Sequence, residues 1–218
     1  MELWHIIYRG VDGRKIFMDN QDRARFVHNL YEFNDKAPAQ SYVRRPTNVG
    51  HNMSDIRERI VNLHGWKLMP NHIHLILSAR VEDGLSLFLQ KMRGYGRYFN
   101  ERHERRGRLF DTTKKVLIKS ESHFSYLLHY VHLNGLDNLP SAADWRERDR
   151  GSIGSVVVAL KHLEKDKWSS YRDYCGISNF PSILTKNLYQ EREGEYTADL
   201  VAYLSDRSDS LIDTNELE

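Results

Sequence analysis

The segment Ile60–Ser78 constrains the fold most. Two runs rich in apolar residues, Ile60–Leu68 and His72–Ser78, are separated only by Met69-Pro70-Asn71. A connection this short joins neighbouring antiparallel strands, because a parallel pair needs a crossover of a dozen or more residues. Leu3–Arg9 (LWHIIYR) reads as an earlier strand closed by Gly10, and Thr113–Lys119 (TKKVLIK) as a later one. Helical spacing of apolar residues predicts helices over Asp19–Asn34, Asp83–Arg106, Ser122–Leu133 and Ser152–Lys165. Gly94 and Gly96 weaken the middle of the second of these. Ser120 or Ser122 is placed to cap the third, and Gly135 to stop it. Ala37–Ser54 has two prolines, a glycine and no period, which marks a loop or insertion. The order strand–helix–strand–strand–helix–strand–helix predicts an α+β sandwich, an antiparallel sheet with helices on one face.

The chain has 218 residues and a net charge of +2, which suits one compact domain with an appendage. Its single cysteine, Cys175, excludes an internal disulfide framework and a cysteine zinc cluster. The start carries no secretory pattern and no run is long and apolar enough for a membrane span, so a cytoplasmic protein without a membrane partner is expected. The small net charge conceals a split. Leu89–Lys119 holds ten Lys/Arg against three acids, whereas Glu191–Glu218 holds nine acids against two arginines. The first window suits a polyanion or a solvated helix face; the second reads as a disordered, solubilising tail.

Two histidines interrupt the apolar strand MPNHIHLIL. Side chains at i and i+2 of a strand share a face, so His72 and His74 project together. Two neutral imidazoles side by side suit a divalent cation. Two hydrogen-bonded or surface histidines fit the same spacing. On the helix Ser122–Leu133, Tyr126, Tyr130 and Asn134 recur every four residues and form one stripe. Asn134 can lend a carbonyl oxygen to a hard cation, and Tyr130 a phenol that becomes a nucleophile on losing its proton. Ordinary helix-face aromatics would satisfy that pattern equally.

These pieces together resemble a family. MPNHIHLIL is similar to the His-hydrophobe-His signature of HUH endonucleases, and more closely to the single-tyrosine transposases of the smallest insertion sequences. LLHYVHLNGL resembles the helix that carries their nucleophilic tyrosine, and HIIYRG, RYFNERHERRGRLFD and WSSYRDY also match in family order. The length brings the chain nearer to REP-associated tyrosine transposases. The resemblance implies a ferredoxin-like or palm-like core over residues 1–140, with 37–54 as an insertion. A helical, aromatic segment at 141–180 would pack on that core, ahead of an acidic tail at 181–218. It implies His72, His74 and Asn134 as ligands of Mg²⁺ or Mn²⁺, and Tyr130 as the nucleophile. Cleavage of single-stranded DNA beside a hairpin would then proceed through a 5′-phosphotyrosine. Arg93, Arg97, Arg105, Arg106, Arg108, Lys114 and Lys115 are the expected DNA contacts. A homodimer or a monomer is compatible with the family. One departure is Gly135, where the family often has proline. A domesticated hairpin-binding protein without cleavage is the alternative expectation.

Overall fold

A computed structural model describes residues 2–38, 57–142, 144–146, 153–188 and 195–205; the expected insertion lies largely outside them. The strands are β1 (Leu3–Arg9), β2 (Val61–Leu68), β3 (His72–Ala79) and β4 (Lys114–Ile118). They form one sheet in the order β2-β3-β1-β4, and every neighbouring pair is antiparallel. With α1 (Asn20–Glu32) between β1 and β2, and α2 (Gly84–Met92) and α3 (Gly94–Arg102) between β3 and β4, this is the βαββαβ order of a ferredoxin-like α+β sandwich.

Each helix boundary has a local cause. Asp19 accepts hydrogen bonds from the amides of Gln21 and Asp22 and so caps α1. The single helix expected over Asp83–Arg106 is instead two. Near Gly94 and Gly96 the amides of Arg93 and Gly96 bond three residues back, to Gln90 and Arg93, and the ladder tightens there. Ser120 Oγ accepts from the His123 amide at 3.1 Å and starts α4 (Glu121–Leu133).

Strand alternation divides the core into two. Trp4, Ile6 and Tyr8 of β1 and Ile73, Leu75 and Leu77 of β3 pack against α1, α2 and α3. In β2 the apolar residues on this face shift parity, from Val61 and Leu63 to Trp66 and Leu68. A bulge at His64 absorbs the extra residue and keeps all four on the same side. The opposite face, including Ile76 and Ile118, is covered by α4 through Phe124, Leu127, Leu128 and Val131. Gly65 permits the close approach, since a Cβ there would sit 2.9 Å from a Leu128 methyl.

The C-terminal residues complete this second layer. The amide of Leu68 bonds the Trp168 carbonyl and the amide of Ser170 bonds the Trp66 carbonyl. The WSSY stretch therefore covers the outer edge of β2, which would otherwise be an open pairing surface. Beyond α5 (Val156–Lys165) and α6 (Tyr171–Tyr174) comes α7 (Glu195–Ser205). Its Tyr196 and Leu200 are fully buried in the α4 core. The acidic tail is thus not simply a solvated appendage: over residues 195–205 its apolar side is docked.

Candidate active site

His72 and His74 lie on the face of β3 that meets α4. Their Nε2 atoms converge to 3.0 Å, while the other nitrogen of each ring is held from behind. Asn71 Oδ1 lies 2.8 Å from His72 Nδ1, and His5 Nε2 lies 2.9 Å from His74 Nδ1. The His5 ring stacks on His74 with an interplanar angle of 13°. Antiparallel register explains the arrangement: Ile7 is opposite His74, so His5 on the same face is its diagonal neighbour. Burial pushes the His5 pKa down to about 3, with the Lys114 charge adding to the effect. Burial also holds His74 well below its ordinary range, assisted by His5 and His72. The imidazoles of His5 and His74 are therefore neutral near pH 7.

The tyrosine helix brings the remaining candidates to the same place. Tyr130 is 1% exposed, and its ring meets His74 edge-on with centroids 6.0 Å apart. Asn134, one turn later, donates from Nδ2 to the Tyr130 carbonyl at 2.8 Å. Its Oδ1 accepts from Arg146 Nη2 at 2.6 Å. The Arg146 guanidinium carbon lies 5.8 Å from the centre of the Tyr130 ring, and the side chain is gripped by Asp137 at 2.6 and 3.1 Å. Trp145 packs on the Tyr130 ring at 5.6 Å and donates its indole N–H to Asp137. Tyr126, the other member of the stripe, packs against Tyr203 of α7 instead.

The histidine pair fits a divalent cation. Two Nε2 atoms point at one position, and each opposite nitrogen has the outer partner that orients metal-bound imidazoles. The third expected ligand fits less directly, because the Asn134 oxygen is turned to a guanidinium. Among the described residues, no group of three or more His, Cys, Asp or Glu side chains is arranged to hold a metal. The two histidines that flank Tyr130 on α4 are engaged elsewhere. His132 is hydrogen-bonded to Tyr196 and, at 2.7 Å, to Ser170. His129 packs against the Tyr196 and Tyr203 rings.

Gly135 is explained by packing rather than by helix termination. The chain continues past it as a 3-10 helix, Asn134–Asn138. A Cβ at Gly135 would lie 2.6 Å from a Leu163 methyl of α5, and 3.7 Å from Lys67 Nζ. Lys67 is opposite His74 on the same sheet face and is paired with Asp166.

The expected DNA contacts divide into several groups. Arg93, Arg97 and Arg108 line a cleft of about 490 Å³ between α3 and the segment leading into β4, with Tyr8, Leu109 and Phe110 among its apolar residues. Arg105 instead braces its own loop, donating to Asn100 Oδ1 at 2.8 Å and the Arg108 carbonyl at 2.7 Å. Arg106 is exposed. Lys114 is opposite Ile7 on the histidine face, whereas Lys115 is opposite Ile6 on the other face. Arg102 pairs with Asp19 and the buried Asp22, tying α3 to the start of α1.

Sequence reasoning missed His5, Asn71, Arg9 and Arg146. Asn71 adjoins the histidine motif, and HIIYRG carries both His5 and Arg9, so the signals were present without a register to link them. Arg9 is exposed and directly opposite His72. Arg146 had no signal at all. No family model matches the sequence, and no curated protein matches it. Among solved structures, the chain is similar to a REP-associated tyrosine transposase bound to a REP hairpin. The TM-score is 0.48 and the identity 10%, over 88% of this chain and 90% of that one. No helix among the described residues is long and apolar enough to cross a membrane.

Proposed function

We propose that this chain is a metal-dependent endonuclease and strand transferase for single-stranded DNA, acting beside hairpins with Tyr130 as nucleophile. The observation that carries the reading is the contact of Tyr130 with His74 at 6.0 Å. It brings a tyrosine from α4 against His74 of β3, one helical turn before Asn134, whose side chain bonds the Tyr130 backbone carbonyl. A purely structural pair of histidines has no need of this convergence.

His72 and His74 would hold Mg²⁺ or Mn²⁺, with Asn134 as the third protein ligand. When bound, the cation supplies Lewis-acid charge to the phosphate oxygens. The Tyr130 phenol gives up its proton as its oxygen bonds phosphorus, the bond from phosphorus to the 3′ oxygen breaks, and that oxygen takes up a proton to leave as a hydroxyl, so one proton is lost and one gained. The product is a 5′-phosphotyrosine and a free 3′ end. The phosphoester bond is exchanged rather than hydrolysed, so the chemistry needs no nucleotide triphosphate. Arg9 and Lys114 border the histidine face and supply positive charge for a phosphate. Arg93, Arg97 and Arg108 line a cleft beside α3, on the other face of the sheet, that would take the strand beyond the histidine face.

The test is incubation with hairpin-flanked single-stranded DNA from the chain's own gene borders, with Mg²⁺ or Mn²⁺, followed by a denaturing gel. A covalent adduct lost in Tyr130→Phe and kept in Tyr126→Phe is expected. An adduct lost only in Tyr126→Phe would move the nucleophile. Tight hairpin binding without any adduct would favour a second reading, a hairpin-binding protein that does not cut. That reading draws on Tyr130 being 1% exposed, with Trp145 and Arg146 against it.

A further inference from the structure

Arg146 occupies the junction of the candidate site without belonging to any motif. Its Nη2 donates to Asn134 Oδ1 at 2.6 Å, and its guanidinium carbon lies 5.8 Å from the centre of the Tyr130 ring. Its charge acts on His74 as well. The Asn134 amide is not at liberty to turn, because its Nδ2 is bonded to the Tyr130 carbonyl at 2.8 Å. The oxygen that a cation would take is therefore the one that Arg146 holds. An amide oxygen could in principle meet both, but a guanidinium and a divalent cation on one oxygen atom repel strongly in a partly buried site. Asp137 already holds the same guanidinium at 2.6 and 3.1 Å, so Arg146 can release Asn134 without losing its counter-charge.

We propose that Arg146 and a divalent cation compete for Asn134 Oδ1, so that Arg146 is a positioning residue setting how tightly the histidine pair holds its metal. With the site empty, Arg146 keeps Asn134 and Tyr130 in place. With the site filled, it gives up Asn134 and stays on Asp137. The inference rests on the metal-site reading above, and its test separates the two.

The experiment is a Mn²⁺ titration of the full chain, by calorimetry and by loss of the free-ion electron paramagnetic resonance signal. It covers wild type, His74→Ala, Arg146→Ala and Arg146→Met, with thermal melts of each. The methionine variant keeps an apolar stem against Trp145 if alanine fails to fold. Removing the guanidinium should tighten Mn²⁺ binding about tenfold, a usual size for coupling between neighbouring sites. His74→Ala should abolish binding. A merely structural role for Arg146 would loosen the site, so equal or weaker binding in a folded Arg146 variant overturns the inference and leaves the metal site standing. Mn²⁺ binding that is absent in wild type, or unchanged in His74→Ala, overturns the metal reading and the inference with it.

Discussion

Replacing Gly135 by alanine tests whether α5 really presses on the turn that carries Asn134. The added Cβ would lie 2.6 Å from Leu163 Cδ2, and Leu163 is 1% exposed. To restore an ordinary carbon–carbon contact the methyl must retreat by about 1 Å. Overpacking of this kind costs about 1–3 kcal/mol. The φ of Gly135 is not left-handed, so alanine also recovers about 1 kcal/mol of helical propensity. The net expectation is a loss of up to about 2 kcal/mol, or a melting temperature lower by as much as roughly 8 °C for a domain of this size. Proline, the residue expected from the resemblance, brings the same Cβ. Thermal and urea unfolding measure the effect, with Gly96→Ala as control. There the nearest atom to an added Cβ is 3.5 Å away, and the variant should be neutral or slightly stabilised. Because Asn134 is the preceding residue, Gly135→Ala should also weaken Mn²⁺ binding. A Gly135→Ala protein more stable than wild type by the full propensity gain of about 1 kcal/mol would refute the packing argument.

Acid should unfold the chain early. The pKa values of His5 (about 3), His64 (about 4) and His129 (about 4) are pushed down by burial, and His74 and His132 lie well below 6.5. The unfolded chain then binds more protons below pH 6.5, so stability is complete above that value and falls toward pH 4. Each histidine contributes about 1.4 kcal/mol per pH unit, and a urea midpoint that stays level from pH 7 to pH 5 would contradict this. Arg102→Ala should cost about 3 kcal/mol, since it strips the main counter-charge from Asp22, whose side chain is fully buried. Arg97→Ala, in an exposed pair with Glu101, should leave the urea midpoint essentially unchanged, and similar losses in the two urea titrations would count against the distinction. In single-stranded DNA binding, Arg93→Ala, Arg97→Ala and Arg108→Ala should each lower the salt slope by about 1. An unchanged slope in the triple variant would remove the cleft from the DNA path.

Local pattern made the four strands, α1 and α4 readable, because alternation and helical spacing depend only on near neighbours. Their order was enough to imply the antiparallel sandwich. The pair His72 and His74 was legible for the same reason, since two residues apart on a strand means one face. The stripe of Tyr126, Tyr130 and Asn134 was legible as a helix face, but not which tyrosine met the sheet. Tyr126 went to α7 and Tyr130 to His74, a choice made by how α4 lies across Gly65. The basic window likewise gave charge without destination. Arg102 and Arg105 are spent on structure, while Arg93, Arg97 and Arg108 line the cleft. The docking of α7 was hidden because acidic composition outweighed two apolar anchors, Tyr196 and Leu200.

The sequence by itself determined the elements, their order and the two histidines, all properties of residues within a few positions of one another. Only tertiary structure decided the site. Strand register placed His5 behind His74, helix packing placed Tyr130 before it, and Arg146 reached Asn134 across twelve residues of chain. Such contacts follow from how faces pack in space, and short-range spacing carries no record of them.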